Sequence, residues 1–253
     1  MPAALPPRFL AIECSTDTLS VALGTGLPGD PVAEHAGPGG PQSSTTLLPA
    51  VQRLLDHAGW RLHDLSAIAF ARGPGSFTGL RTACAVAQGL AYGTRGPDHP
   101  DGLPVLAIDT LQVLAETATP ADHTGPVAAL LDARMEELYL AVWQRQGPVW
   151  TERQAPRLCA PAALAGWLAE ALPDERPLLA GNVFGAYPDA LAPLQTTHPT
   201  AVAVPSATAL LRLAPGAWAR GDAVPAHAAM PLYVRDKVAR TTAEREQPAG
   251  VSP

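Results

Sequence analysis

The sequence predicts an α/β protein of two related lobes, on three observations. Apolar runs of strand length alternate with segments of helical period along the chain. Strand, polar turn and strand follow one another near the start of both halves. Of the 253 residues 47% are hydrophobic, enough to fill one large core or two smaller ones.

Residues 9–12 and 19–23 are apolar runs around the polar turn 13–18, the pattern of a hairpin that opens a sheet. A loop rich in Gly and Pro covers 24–41. In the helix that follows, Ser44 or Thr45 is placed to cap and Pro49 falls in the first turn. Leu47, Leu48, Val51, Leu54, Leu55 and Ala58 form its apolar stripe, and Gly59 ends it. Residues 67–70 make a short buried strand leading into a Gly-Pro-Gly turn and a second helix. A further strand covers 105–108, and Asp109 with Gln112 has the spacing of a capping box for a helix through Ala118. VAALLDARMEELYLAVW, starting at Val127, reads as two strands around the charged turn 132–137. The Pro- and Ala-rich remainder holds a helix at 162–172, a strand at 178–180 before Gly181, a helix at 206–213 and a last ordered piece at 231–238. The tail 241–253 has little to bury and is expected to be mobile.

Residues 71–93, ARGPGSFTGLRTACAVAQGLAYG, are the most informative stretch. Gly79, Ala83, Ala87 and Ala91 recur every four residues, so one helix face carries no bulky side chain and another backbone can approach it closely. The turn before it presents N–H groups at a helix N-terminus, a geometry that can hold a phosphate. A P-loop, however, has Lys-Ser/Thr after its last glycine, whereas Gly79 is followed by Leu80 and Arg81; a dinucleotide fingerprint has a third glycine where Thr78 stands. The turn therefore reads as structural, and Ser76, outside any GxSxG elbow, reads as a helix cap.

A net charge of −6 gives no global positive field for nucleic acid or an anionic membrane, so such contacts would be local or made through a partner. Lys237 is the only lysine, which leaves one candidate for P-loop or Schiff-base chemistry. Cys14, Cys84 and Cys159 are far apart and include no CxxC pair, as suits a reducing cytoplasm. The N-terminal apolar run before Glu13 is too short for a signal peptide, and no stretch reaches about 18 consecutive apolar residues, so neither export nor a membrane span is expected. No two histidines lie three or four apart, so no paired metal ligands and no metal are expected. Glu13 and Asp17 in the first turn, and Asp132, Glu136 and Glu137 in the second, read as capping or solvated carboxylates rather than catalytic ones.

In order and spacing, LAIECSTDTLSVAL, ARGPGSFTGLR, VLAIDT, LLDARMEELYLAVW and PLYVRDKVA resemble the bacterial TsaB (YeaZ) family over most of the chain. The resemblance implies an actin-like ATPase fold of two ribonuclease-H-like lobes with a degenerate active site. It also implies a non-catalytic partner of TsaD, and with it TsaE, in forming threonylcarbamoyladenosine beside the tRNA anticodon. No cofactor, a homodimer when alone, tRNA contact only through the complex and a cytoplasmic location follow from the same resemblance. The family's motif turns fall on Glu13, Ser15, Thr16, Gly73, Pro74, Gly75, Ser76, Thr78, Gly79, Arg81, Asp132 and Arg134. TsaD, similar enough to be a paralogue, carries an HxxxH metal pair whose matching positions here are Thr110 and Leu114. It also carries a glycine-rich phosphate turn, SGGHT, where this chain has Asp132, Ala133, Arg134, Met135 and Glu136, whose side chains are expected to fill the phosphate's space. The chain departs from the family at Glu13, where Asp is usual, and at Cys14, where Thr is common.

These readings place lobe one at 1–103 plus a returning element at about 228–240 that holds Tyr233, and lobe two at 104–227. The expected partner surface is Leu47, Leu48, Val51, Leu54, Leu55 and Ala58 of the first helix with Gly79, Ala83 and Ala87 of the second, half of a helical bundle completed by TsaD or a second copy. The alternative is that both helices simply cover their own sheet. A stand-alone ATPase or metallopeptidase of the same superfamily is the competing function, and neither a metal pair nor a nucleophile elbow supports it.

Overall fold

The chain begins with an antiparallel hairpin, β1 (Phe9–Glu13) and β2 (Thr18–Gly24), in register from Phe9↔Gly24 to Glu13↔Ser20. β3 (Val32–Pro38) adds antiparallel to β2, and α1 (Ser43–Ala58) follows. β4 (Ala67–Gly73) returns parallel to β1, then come α2 (Phe77–Tyr92), β5 (Val105–Asp109) parallel to β4, and α3 (Thr110–Ala118). The same succession then repeats: β6 (Gly125–Arg134), β7 (Glu137–Gln146), β8 (Val149–Cys159), α4 (Leu164–Ala171), β9 (Leu178–Gly181), α5 (Pro188–Thr197), β10 (Thr200–Val202) and α6 (Ala207–Arg220). The sheet orders are β3-β2-β1-β4-β5 and β8-β7-β6-β9-β10, one topology used twice. This computed structural model describes residues 6–235 except 98 and 148, so the expected tail 241–253 lies outside the described residues, as does the part of 231–238 after Arg235.

The two units interlock through their last helices. α3 leaves the first sheet and packs on β6, while α6 leaves the second and packs on β1 and β2, with the two helices against one another. Layers therefore run from α1 and α2 through the first sheet, α3 with α6, and the second sheet to α4 and α5. The central strands explain their own composition. In β1, Phe9 and Ala11 enter the inner core while Leu10 and Ile12 face α1 and α2; in β6, Val127, Ala129 and Leu131 point inward while Ala128 and Leu130 face α4 and α5. Strands covered on both faces carry uninterrupted apolar runs, which is what made them readable.

Several expectations are corrected. The lobe boundary at 103/104 is too early, because residues 105–109 form β5 of the first sheet and complete its topology. The segment read as helix 206–213 is longer, as α6, and covers the first sheet rather than the second. α1 starts at Ser43 after a short 3-10 turn and has no side-chain N-cap; Thr45 and Thr46 instead donate to the Gln42 carbonyl at 2.9 Å each. Pro49 consequently sits in the second turn of α1. The Asp109–Gln112 capping box does not form, since Asp109 makes no cap bond and pairs with Arg72. Gly59 does end α1, at φ 65°, and the Ser76 hydroxyl does cap α2, accepting from the Gly79 N–H at 3.4 Å. β3, β8, α5 and β10 had no counterpart in the reading, for they are edge strands or outer elements with exposed, Pro-interrupted sequences.

Candidate functional site

Duplicated topology brings the hairpin turns of both units to one place, a cleft of about 260 Å³ between the lobes. Its walls are Ser15, Thr16 and Asp17 of the β1–β2 turn, Pro74–Phe77 ahead of α2, Leu131–Arg134 with Asn182 and Tyr139 of the second lobe, and Leu232–Arg235 of the C-terminal segment. A larger cavity of about 430 Å³ lies along the β5 edge beside the Arg72–Asp109 and Arg220–Asp222 pairs, and holds neither hairpin turn.

The first turn is shaped by backbone apposition. A Cβ on Gly79 would lie 1.8 Å from the Cys14 carbonyl oxygen, and one on Gly75 would lie 2.5 Å from that of Ser15. The small α2 face is thus a packing device turned toward its own strand, and the Ser76 N–H donates to the Ser15 carbonyl at 2.7 Å instead of awaiting an anion. Below the turn Glu13 is fully buried; its Oε1 accepts from the Ser15 N–H and hydroxyl at 2.5 Å each, and its Oε2 has no hydrogen-bond partner among the described residues. Burial pushes its carboxyl up to about 7, outweighing the two Ser15 bonds that hold it down. Burial, with the Glu13 charge beside it, also raises the Cys14 thiol, which is inert on that account.

Side chains set the second turn. Arg134, Met135 and Glu136 all adopt left-handed backbone, φ 62°, 56° and 58°, at a cost of about 1–2 kcal/mol each for residues with a Cβ. Asp132 stabilises the entry, accepting from the Arg134 N–H and the Tyr187 hydroxyl at 2.8 Å each, while its own N–H donates to Asn182 Oδ1 at 2.9 Å. Burial first, and the bond to Asp132 second, push the Tyr187 hydroxyl up to about 12. Arg134 reaches across the cleft to Asp17 at 2.8 Å. Asp132, Ala133 and Arg134 line the cleft, and Arg134, although exposed, spans it to Asp17, while Met135 and Glu136 point to solvent.

Of the motif residues, Ser15, Thr16, Pro74, Gly75, Ser76, Asp132 and Arg134 line the cleft. Glu13 lies beneath it, Gly73 packs against the Leu232 carbonyl, Gly79 packs on Cys14, and Thr78 faces out. Arg81 stacks over Phe77 at 3.8 Å and donates to the Tyr233 hydroxyl at 3.1 Å. Tyr139, Asn182, Tyr187 and Arg235 carry no role in the sequence reading; Tyr139, inside LLDARMEELYLAVW, and Arg235, inside PLYVRDKVA, lie in motifs of the family resemblance, whereas Asn182 and Tyr187 lie outside them. Thr110 and Leu114 are buried, Thr110 accepting from the Gly73 N–H at 3.0 Å and Leu114 lying in the inner core.

The expected partner surface is not on the surface. Leu47, Val51, Leu54 and Leu55 are buried under α1, and Gly79, Ala83 and Ala87 under α2, all facing the first sheet. Ala58 is partly buried in the same core, and of the nine residues only Leu48 is exposed, at 50%. Both helices cover their own sheet, the alternative set out above. Their outer faces carry Leu48 on α1 and Thr78, Ala85, Gly89 and Tyr92 on α2.

Two ribonuclease-H-like units of order 3-2-1-4-5 with exchanged terminal helices and a cleft between them define an actin-like α/β protein. A family model described as TsaD, tRNA N6-adenosine threonylcarbamoyltransferase, matches residues 34–243. The tRNA threonylcarbamoyladenosine biosynthesis protein TsaB of Escherichia coli K12 is 32% identical over 92% of this chain and 96% of its own length. Its namesake from Haemophilus influenzae is 29% identical over 91% and 94%. The solved structure of YeaZ from Pseudomonas aeruginosa superposes with a TM-score of 0.74 at 35% identity, covering 90% of this chain and 99% of that one. The chain belongs to the TsaB family.

Proposed function

We propose that this chain is a non-catalytic subunit that binds TsaD, and with it TsaE, and makes the assembly competent to transfer a threonylcarbamoyl group to the adenosine beside the anticodon of tRNAs reading codons that begin with A. The observation that carries the reading is the state of Thr110 and Leu114. Where the resemblance puts a metal-binding pair, one side chain holds the Gly73 backbone and the other fills the core. The first-lobe turn supports the same reading, because its N–H and glycine positions are taken up by Cys14 and Ser15. A net charge of −6 makes tRNA contact through the complex the natural route.

The partner surface in this proposal is the outer face of α1 and α2, around Leu48 and Ala85, both exposed on helices whose inner faces are already buried. Ala85→Arg and Leu48→Arg place a charge there without entering the core, so a folded protein that no longer co-purifies with TsaD is expected, with TsaD affinity down at least tenfold. Wild-type affinity in both variants would put the interface elsewhere. No helix among the described residues is long and apolar enough to cross a membrane.

A further inference from the structure

We propose that residues 231–235 are a latch that holds the strained β6–β7 turn and thereby sets the opening between the lobes. The segment is tied to lobe one first: the Leu232 N–H donates to the Arg72 carbonyl at 2.7 Å, Tyr233 packs on Phe77 with ring centroids 5.3 Å apart, and the Tyr233 hydroxyl accepts from Arg81. Two residues later it is tied to lobe two. Arg235, largely buried, donates to Glu137 Oε2 at 2.5 Å and to the Arg134 carbonyl at 3.4 Å, with Met135 sulfur at 3.4 Å from its other nitrogen. Two residue steps span at most about 7 Å of backbone, so a widening of the cleft mouth beyond the reach of the Arg235 side chain must release one end.

The grip falls on the one place in the described residues where three consecutive non-glycine residues are left-handed. Such backbone persists only where its surroundings over-determine it. Here the determinants are Asp132 at the entry, Arg235 on the Arg134 carbonyl and Glu137, and Asp17 across the cleft on the Arg134 side chain. Loss of the Arg235 contacts frees the turn to relax, and a relaxed turn lets go of Asp17. A local event at the C-terminal segment is thereby passed to the β1–β2 turn.

Hydrogen exchange of the full chain, in wild type, Arg235→Ala, Glu137→Gln and Tyr233→Ala, tests this. The expected result is exchange about tenfold faster at residues 132–137 in the first two variants, about twofold faster at 15–18, which the exposed Arg134–Asp17 pair alone couples to that turn, and unchanged in α1 and α4. Tyr233→Ala, which loosens the lobe-one end, is expected to give the same pattern more weakly. Wild-type protection at residues 132–137 in Arg235→Ala and Glu137→Gln overturns the proposal. So does acceleration spread evenly over both sheets, which would make the segment a part of global stability and not a latch.

Discussion

The two hairpin turns at the cleft occupy equivalent places in a duplicated fold and are shaped by opposite means. The β1–β2 turn is pressed between backbones: Gly75 and Gly79 bring α2 onto Cys14 and Ser15 at distances that exclude a Cβ. The β6–β7 turn has no glycine, and it tolerates left-handed Arg134, Met135 and Glu136 because Asp132, Tyr187 and Arg235 hold it. Contact between main chains leaves no room for compensation, whereas a side-chain network shares its load. Replacing either Gly75 or Gly79 at the first turn should therefore be costly by itself, and substitutions in the second should be mild one at a time.

The largest effect is expected for Gly79→Ala. Its Cβ would overlap the Cys14 carbonyl at 1.8 Å, so α2 or the turn must shift; a loss of about 4 kcal/mol or more, read from chemical denaturation, is expected. A loss under about 1 kcal/mol would erase the contrast between the turns.

Glu13→Gln comes next, through pH. The folded-state pKa of Glu13, about 7, stands above its ordinary 4.5, so the folded state holds the proton more tightly and stability falls as pH rises from 4.5 to 7. The part due to Glu13 approaches about 3 kcal/mol at and above pH 7, at about 1.4 kcal/mol per pKa unit. Glutamine keeps an acceptor for Ser15 and cannot ionise, so the variant is expected to lose this slope and to exceed wild type in relative stability above pH 7. Parallel Tm-against-pH curves for the two proteins between pH 4.5 and 8 would show that Glu13 is not the buried acid described.

Two smaller effects probe the second turn. Met135→Gly removes the Cβ from a left-handed position while the side chain is mostly exposed, so it should stabilise by about 0.5–1 kcal/mol, less the extra freedom glycine gives the unfolded chain. A loss of more than about 1 kcal/mol would mean that the turn is not strained. Asp17→Asn breaks a pair whose side chains are 84% and 70% exposed, and should change stability by less than about 0.5 kcal/mol.

What could be read from sequence follows from burial. β1, β4, β6 and β7 announce themselves because both faces are covered and the apolar run is unbroken, and the hairpins of both units follow from them. β3 and β8 stand at sheet edges, where exposed residues, Gly and Pro replace that pattern, and α5 carries Pro193 inside a short helix. The apolar stripe of α1 and the small stripe of α2 were legible as faces, but a stripe says only that something covers it. The sheet of the same lobe does, which is why Val51, read as a partner residue, is now expected to unfold the chain when changed to Arg. Within the cleft, the turns were visible as motifs, while Tyr187, Asn182 and Arg235 join them only through contacts 50 to 101 residues apart in sequence.

The most direct measurement is a reconstituted transfer assay with ATP hydrolysis followed in parallel, using this chain alone, TsaD with TsaE, and all three together. The account predicts no turnover of ATP and no threonylcarbamoyl transfer by the chain alone, and transfer to tRNA that appears only when it joins its partners. Steady ATP hydrolysis by the purified chain, or full transfer by TsaD and TsaE without it, would contradict the account.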